Sequence, residues 1–261
     1  MIKVFLHKQR QYYLCYVKIA LIGYGKMGRE IERLAHQKGH EIAGRFGSAN
    51  MPSTESLKMA DVAIEFTRPE LAPKHIALCQ QAGIPVVVGT TGWYTHFDEI
   101  SALFKHNGAL FTATNFSIGV NLTYFINRML AKMMQTADYA AGITEIHHTK
   151  KLDAPSGTAI TLAEGIIQNH THFSSWALSN EEKQSFGPIL PVQAIRQDEV
   201  PGTHSILWNN EIDSIEIKHT AHNRTGFALG ALTAAEWIIG KSGVYGMQDL
   251  LNFEALFSKT T

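Results

Sequence analysis

The stretch EIHHTKKLDAPSGTAITLAEG, residues 145–165, brings two adjacent histidines, two adjacent lysines, an aspartate, a proline and Ser-Gly-Thr close together. Neither a packed core nor a solvated loop calls for that mixture. An imidazole near neutrality can give or take a proton, so His147 or His148 suits general acid/base work. Neighbouring side chains of a regular strand point to opposite faces. The two histidines are therefore expected where a strand ends and the chain turns into Thr149-Lys150-Lys151. Pro155 ahead of Ser156-Gly157-Thr158, followed by AITLAEG, predicts a helix start whose free N–H groups can hold a carboxylate. Lys151 would add positive charge to that pocket. Singly, Ser156 reads as a helix cap and Lys150-Lys151 as a solvated face. Together they point to an anionic substrate and proton transfer.

Such groups need elements to position them. Residues 17–46 read as strand, glycine-rich turn, helix, strand. Gly23-Tyr24-Gly25-Lys26-Met27-Gly28 matches G-x-G-x-x-G in the strand–turn–helix context in which the glycines admit a pyrophosphate at a helix N-terminus. DVAIEFT (61–67), IPVVVGTTG (84–92) and GALFTATNFS (108–117) read as further strands. Helices are expected between them, one of them around 94–107. Repeated strand–helix units predict a Rossmann-like, doubly wound parallel sheet, whose ligands bind beyond the carboxyl ends of the strands. Gly25, Thr67, Gly89, Thr90, Thr91 and the Thr114-Asn115-Phe116 turn lie at or past those ends and outline a cofactor crevice. The second strand ends Gly44-Arg45-Phe46 without the acid expected for NAD, whereas Arg45, with Lys26, suits a 2′-phosphate. NADPH is the favoured cofactor, with NADH as the alternative.

After a helix over roughly 118–135, strands follow one another with few helices between, which predicts a second α+β domain on a mixed or antiparallel sheet. The polar segment 171–190 reads as a loop. The expected organisation is an N-terminal extension over 1–16 and a dinucleotide-binding domain over 17–116, completed by a returning segment 220–261. Residues 117–219 would form the substrate-binding domain. Lys+Arg and Asp+Glu both number 23, so no net charge favours nucleic acid or a membrane surface. No apolar run reaches the length of a membrane span, and no metal site is expected. Cys15 and Cys79 lack metal-ligand spacing and suit a reducing compartment.

EIHHTKKLDAPSGTA resembles the signature of the 4-hydroxy-tetrahydrodipicolinate (dihydrodipicolinate) reductase family of lysine and diaminopimelate biosynthesis. GYGKMG, AIEFTRPE, VVGTTG, NFSIGVN and HTAHNRTGFALGALTAAEW fit the family in order. The resemblance implies reduction of a small cyclic dicarboxylate by a nicotinamide cofactor in a cytoplasmic homotetramer, with residues 117–219 also the oligomerisation domain. It implies that His147 is the acid/base residue, that Lys151 assists protonation, and that His148, Ser156, Gly157, Thr158 and Arg224 bind substrate. Thr67, Gly89, Thr91, Asn115 and Phe116 would line the nicotinamide end. The chain departs from the pattern at Thr114, where Pro is usual, at Asn223 in place of Ser, and at Asp198 in place of Gly. That last departure puts the path of its loop in question.

Overall fold

A computed structural model of the protein describes residues 16–256. Most of the extension expected over 1–16, and Cys15 with it, lies outside the described residues.

The chain opens with β1 (Lys18–Ile22), α1 (Lys26–Gln37), β2 (Glu41–Phe46), α2 (Thr54–Leu57) and β3 (Val62–Glu65). There follow α3 (Ala72–Ala82), β4 (Val86–Val88), α4 (Phe97–Ala102) and β5 (Ala109–Thr112). Next come α5 (Ile118–Met134), β6 (Ala140–His147), α6 (Gly157–Ile167) and strands β7 (Ser175–Ser179), β8 (Ile189–Arg196), β9 (Gly202–Asn209) and β10 (Ser214–Ala221). Helix α7 (Thr225–Ile238), β11 (Gly243–Tyr245) and α8 (Met247–Leu251) complete it. No helix among the described residues is long and apolar enough to cross a membrane.

Two compact units result. The first runs to Thr112 and resumes over Ala231–Tyr245; the second comprises Ala113–Gly230 and resumes at Gly246. The first unit holds a six-stranded sheet in the order β11-β5-β4-β3-β1-β2, parallel throughout. Its central strands are buried on both faces, as continuous apolar runs such as Val86–Val88 require. Helix α1 buries Gly28, Ile31, Leu34 and Ala35, one apolar stripe of a 3.6-residue repeat. This is the expected Rossmann-like architecture. The second unit holds the mixed sheet β10-β9-β6-β8-β7, antiparallel at β10/β9/β6 and parallel at β6/β8/β7. Its core joins the sheet to α5 and α6 through Leu162, Ile166, Val192, Ile206 and Trp208, all fully buried.

Several local expectations change. Segment 171–190 is not wholly a loop, because Ser175–Ser179 adds an edge strand beside β8. An edge strand this exposed carries no apolar alternation to read. Strand β5 stops at Thr112 because the residues that follow build the start of α5. Asn115 Oδ1 accepts from Ser117 N–H at 2.9 Å, and Ser117 Oγ from Val120 N–H at 3.3 Å. The helix expected around 94–107 is a 3₁₀ turn (Tyr94–His96) followed by the six-residue α4. The return to the first unit is narrower than 220–261: β10 extends to Ala221, and α7 contributes from Ala231 onward. Around Asp198, the loop after β8 is tied by Thr149, whose hydroxyl donates to the carboxylate at 2.5 Å.

Candidate active site

In the first unit the glycine turn follows β1 directly. Gly23 has φ +99°, and a Cβ there would lie 2.0 Å from the Phe66 carbonyl oxygen, so only glycine fits. A Cβ at Gly28 would lie 2.4 Å from the Gly23 carbonyl, so the third glycine lets α1 sit against the turn. At Gly25 a Cβ would meet nothing. Gly25 caps α1 without a side-chain hydrogen bond, and the helix has no acid in its first turn. An uncapped, unopposed helix N-terminus with open space before it is what a dinucleotide pyrophosphate needs, and the residues present fit one. Lys26 and Met27 are the first two residues of that helix.

Past β3 and β4, Thr67 N–H donates to Thr90 Oγ1 at 2.7 Å, and the Thr67 hydroxyl donates to buried Glu65. A Cβ at Gly89 would meet the Phe66 ring at 2.1 Å. Gly89 therefore makes room for the neighbouring strand end, and Thr67 and Thr90 bind the two loops together. Thr91 remains exposed.

Arg45 is not a free cation. Its Nε donates to Glu32 Oε1 at 3.0 Å, its Nη2 contacts the same oxygen, and the Tyr24 hydroxyl donates to the other. The Arg45 hydrogen bond, against the opposing effect of burial and with help from Tyr24 and His36, holds the Glu32 carboxyl down at about 2. The carboxylate missing from the end of β2 is thus delivered from α1. Sequence reasoning did not find it, because Glu32 reaches Arg45 only through the packing of α1 beside β2.

Thr114, Asn115 and Phe116 belong to the second unit. Thr114 is exposed, Phe116 is buried, and Asn115 Nδ2 donates to Thr158 Oγ1 at 3.3 Å. A residue expected beside the cofactor therefore touches one expected beside the substrate.

Strand β6 ends on His147, which is buried, while His148 starts the turn closed by Lys151 N–H donating to the His148 carbonyl at 3.0 Å. Lys151 Nζ donates to both Asp153 carboxylate oxygens at 2.8 Å, and Lys151 beside it holds the Asp153 carboxyl below its usual range. Ser156 Oγ accepts from Ala159 N–H at 3.2 Å and so caps α6. The N–H groups of Gly157 and Thr158 lie in the first turn, outside the helix's own ladder. At Gly157 a Cβ would meet nothing, so the helix start faces open space. Arg224 is exposed just before α7.

Behind these residues lies a buried cluster not foreseen from sequence. Glu145 is fully buried, and its Oε1 accepts from Ser156 N–H at 3.0 Å and from Arg196 Nη2 at 3.1 Å. Its Oε2 lies 2.7 Å from His147 Nδ1, at ion-pair distance although neither atom has an aligned hydrogen bond, and 3.8 Å from His204 Nε2. His204 Nε2 is also 3.0 Å from Ser156 Oγ. Glu145, His147 and His204 offer donors within 4.8 Å of one another. Arg196 already supplies that carboxylate with a positive charge, and a cation would have to share it with the guanidinium. The arrangement reads as an ion-paired network around Glu145 and His147.

Burial alone would raise the Glu145 carboxyl, but His147 and Ser156 outweigh it and hold it at about 2. Burial, then the charge of His147, pushes His204 down to about 3. Both groups hold protons less tightly folded than unfolded. Their contribution to stability is complete above the ordinary histidine value of 6.5. It is lost as pH falls through about 3 and then about 2. Thermal melts are expected to show Tm declining progressively below about pH 6.5, with Glu145→Gln flattening the part of the decline below about 4.5. A Tm independent of pH over this range would contradict the charge states of the cluster.

Comparison with known proteins adds an independent line. Residues 17–116 match the model of the dihydrodipicolinate reductase N-terminus, and residues 119–251 that of its C-terminus. A 4-hydroxy-tetrahydrodipicolinate reductase of Christiangramia forsetii is 42% identical over 238 residues, covering 90% of this chain and 98% of the relative. One from Acinetobacter baylyi is 32% identical, covering 90% and 96%. A dipicolinate-bound dihydrodipicolinate reductase from Paenisporosarcina sp. TG-14 shares the fold, with a TM-score of 0.68 over 90% of this chain and 99% of that one, at 23% identity. With both halves matched in order by their own family models, and relatives similar over nearly their full length, the chain belongs to the dihydrodipicolinate reductase family.

Proposed function

We propose that the chain reduces the cyclic dicarboxylate imine on which its named relatives act, 4-hydroxy-tetrahydrodipicolinate or its dehydrated form, to tetrahydrodipicolinate in lysine and diaminopimelate synthesis. The observation that carries this reading is the open start of α6 beside the turn that bears Lys151 and the strand end that bears His147. A ring with two carboxylates needs an anion cradle and a proton donor. The N–H groups of Gly157 and Thr158, oriented by the Ser156 cap, bind one carboxylate. His148 and Arg224 contact the remainder of the substrate. The 4-hydroxyl leaves as water to give the conjugated imine, and a bound reduced nicotinamide would supply the hydride that adds to one ring carbon of it. The resulting enamine takes a proton on the adjacent carbon from His147, with Lys151 supplying positive charge and assisting that protonation. Lys151, held on Asp153, exchanges that carboxylate for the substrate's when the ring binds.

At the cofactor's adenosine end, Arg45 pairs a 2′-phosphate and Glu32 accepts from a ribose hydroxyl. Holding both groups in one network, the chain uses NADPH with NADH also accepted. Self-association into a homotetramer runs through the second unit's sheet, where Leu178, Ile189 and Ile215 remain exposed. The setting is cytoplasmic.

Turnover tests the reading. Purified protein is expected to consume NADPH and NADH in the presence of the imine, and Arg45→Ala is expected to lower the NADPH:NADH ratio of kcat/KM by about 10-fold, one charge-assisted contact. An unchanged ratio would remove Arg45 as the reader of the phosphate. Consumption of neither cofactor would remove the function.

A further inference from the structure

We propose that Glu145 is a positioning residue for proton transfer. Its buried carboxylate holds the His147 ring by Nδ1 and locks that ring to the Ser156 start of α6, so that proton donor and carboxylate cradle keep one geometry. The inference rests on His147 being the acid/base residue.

Position dictates the contact. Glu145 and His147 are two apart on β6 and share one face of the strand. Opposite Glu145 in the ladder to β9 stands His204, and opposite His147 in the ladder to β8 stands Arg196. One carboxylate thereby reaches four groups. Oε1 takes Ser156 N–H and Arg196, and Oε2 faces His147 Nδ1 at 2.7 Å and His204 at 3.8 Å. Arg196 also donates to the Asp153 carbonyl at 2.6 Å, which fastens the loop that carries Lys151. Beyond His147 Nε2 lies Gly202, where a Cβ would approach within 2.9 Å, so the strand behind leaves the ring just enough space.

A fully buried carboxylate is costly unless paired, and Arg196 and Ser156 N–H engage one of its two oxygens. The second oxygen is left to the histidines. Glu145 on its own strand and His204 on β9 lie against the His147 ring; around them stand Arg196 on β8, bound to Glu145, His219 on β10, which acts on His204, and Lys151 and Asp153 in the loop before α6. Glu145 is the anion of this set that lies against the ring. It orients Nδ1 toward itself and leaves Nε2 as the working nitrogen.

The test compares Glu145→Gln with His147→Gln, measuring kcat, KM, the pH dependence of kcat and the ¹⁵N shifts of the His147 ring. Gln keeps the volume and one acceptor for Ser156 N–H but withdraws the charge. Glu145→Gln is expected to lower kcat about 10–100-fold, leave KM for NADPH unchanged, and alter the pH dependence of kcat. The ring shifts should report loss of the fixed Nδ1–H form. Glu145→Asp keeps the anion at a shorter reach and is expected to keep the wild-type pH dependence and ring form with only part of the kcat. A Glu145→Gln variant that loses Tm while the pH dependence and ring shifts stay as in wild type overturns the proposal and leaves Glu145 a packing residue. If Gln does not fold, an Asp variant whose ring shifts show the Nδ1–H form lost overturns it equally. Wild-type kcat in His147→Gln instead removes the acid/base reading on which the proposal rests.

Discussion

Replacing Lys151 with alanine is expected to lower kcat about 10²–10⁴-fold, the usual worth of a positioned proton-transfer group, while cofactor affinity stays within a few-fold. The asymmetry follows from where Lys151 sits. It lies in the turn between β6 and α6, within the second unit, and among the described residues its ammonium bonds to Asp153. The pair is partly exposed, so its loss costs little stability. Steady-state kinetics with the imine and NADPH, set beside direct cofactor binding, make the check. An unchanged kcat would take Lys151 out of the chemistry, and an equal fall in cofactor affinity would make it a cofactor ligand.

His147→Gln is expected to lower kcat by about 10²-fold or more, with KM for the imine altered far less. Glutamine fills most of the ring's space and can still approach Glu145, so the buried cluster keeps its shape, but it transfers no proton near neutrality. The diagnostic readout is the pH profile: the variant's residual kcat should lose the limb that belongs to the imidazole. A parallel loss in His148→Gln, with the limb intact in His147→Gln, would move the role to the neighbouring histidine.

The groups on which the proposed chemistry rests could be singled out from sequence because they are contiguous. His147, Lys151 and Ser156–Thr158 fall in one short stretch, and the spacing of strand end, turn and helix start follows from proline placement and capping residues. The glycine turn was legible for the same reason, and the parallel sheet followed from the repeated strand–helix order. The partners that tune those groups were not. Arg196 and His204 reach Glu145 only because β6 lies between β8 and β9 in a particular register. Glu145 itself was within reach, since period-two alternation puts it on the face of His147, but an acid two residues before a histidine signals nothing until the strand is known to be buried. Glu32 shows the same limit, joining Arg45 through helix packing thirteen residues away in sequence. Strands β7 and β11 escaped notice because edge strands need no apolar pattern.

Hydride and proton are expected to reach adjacent ring carbons from different sources, the nicotinamide and the chain's own His147–Lys151 pair. The most direct measurement is isotope placement in the product of a single turnover. One reaction uses cofactor deuterated at the transferring position in ordinary water; the other uses unlabelled cofactor in deuterated water. The expected result is one cofactor-derived deuterium at one ring carbon and one solvent-derived deuterium at its neighbour. Solvent label at both carbons, or no transfer from the cofactor, would contradict it.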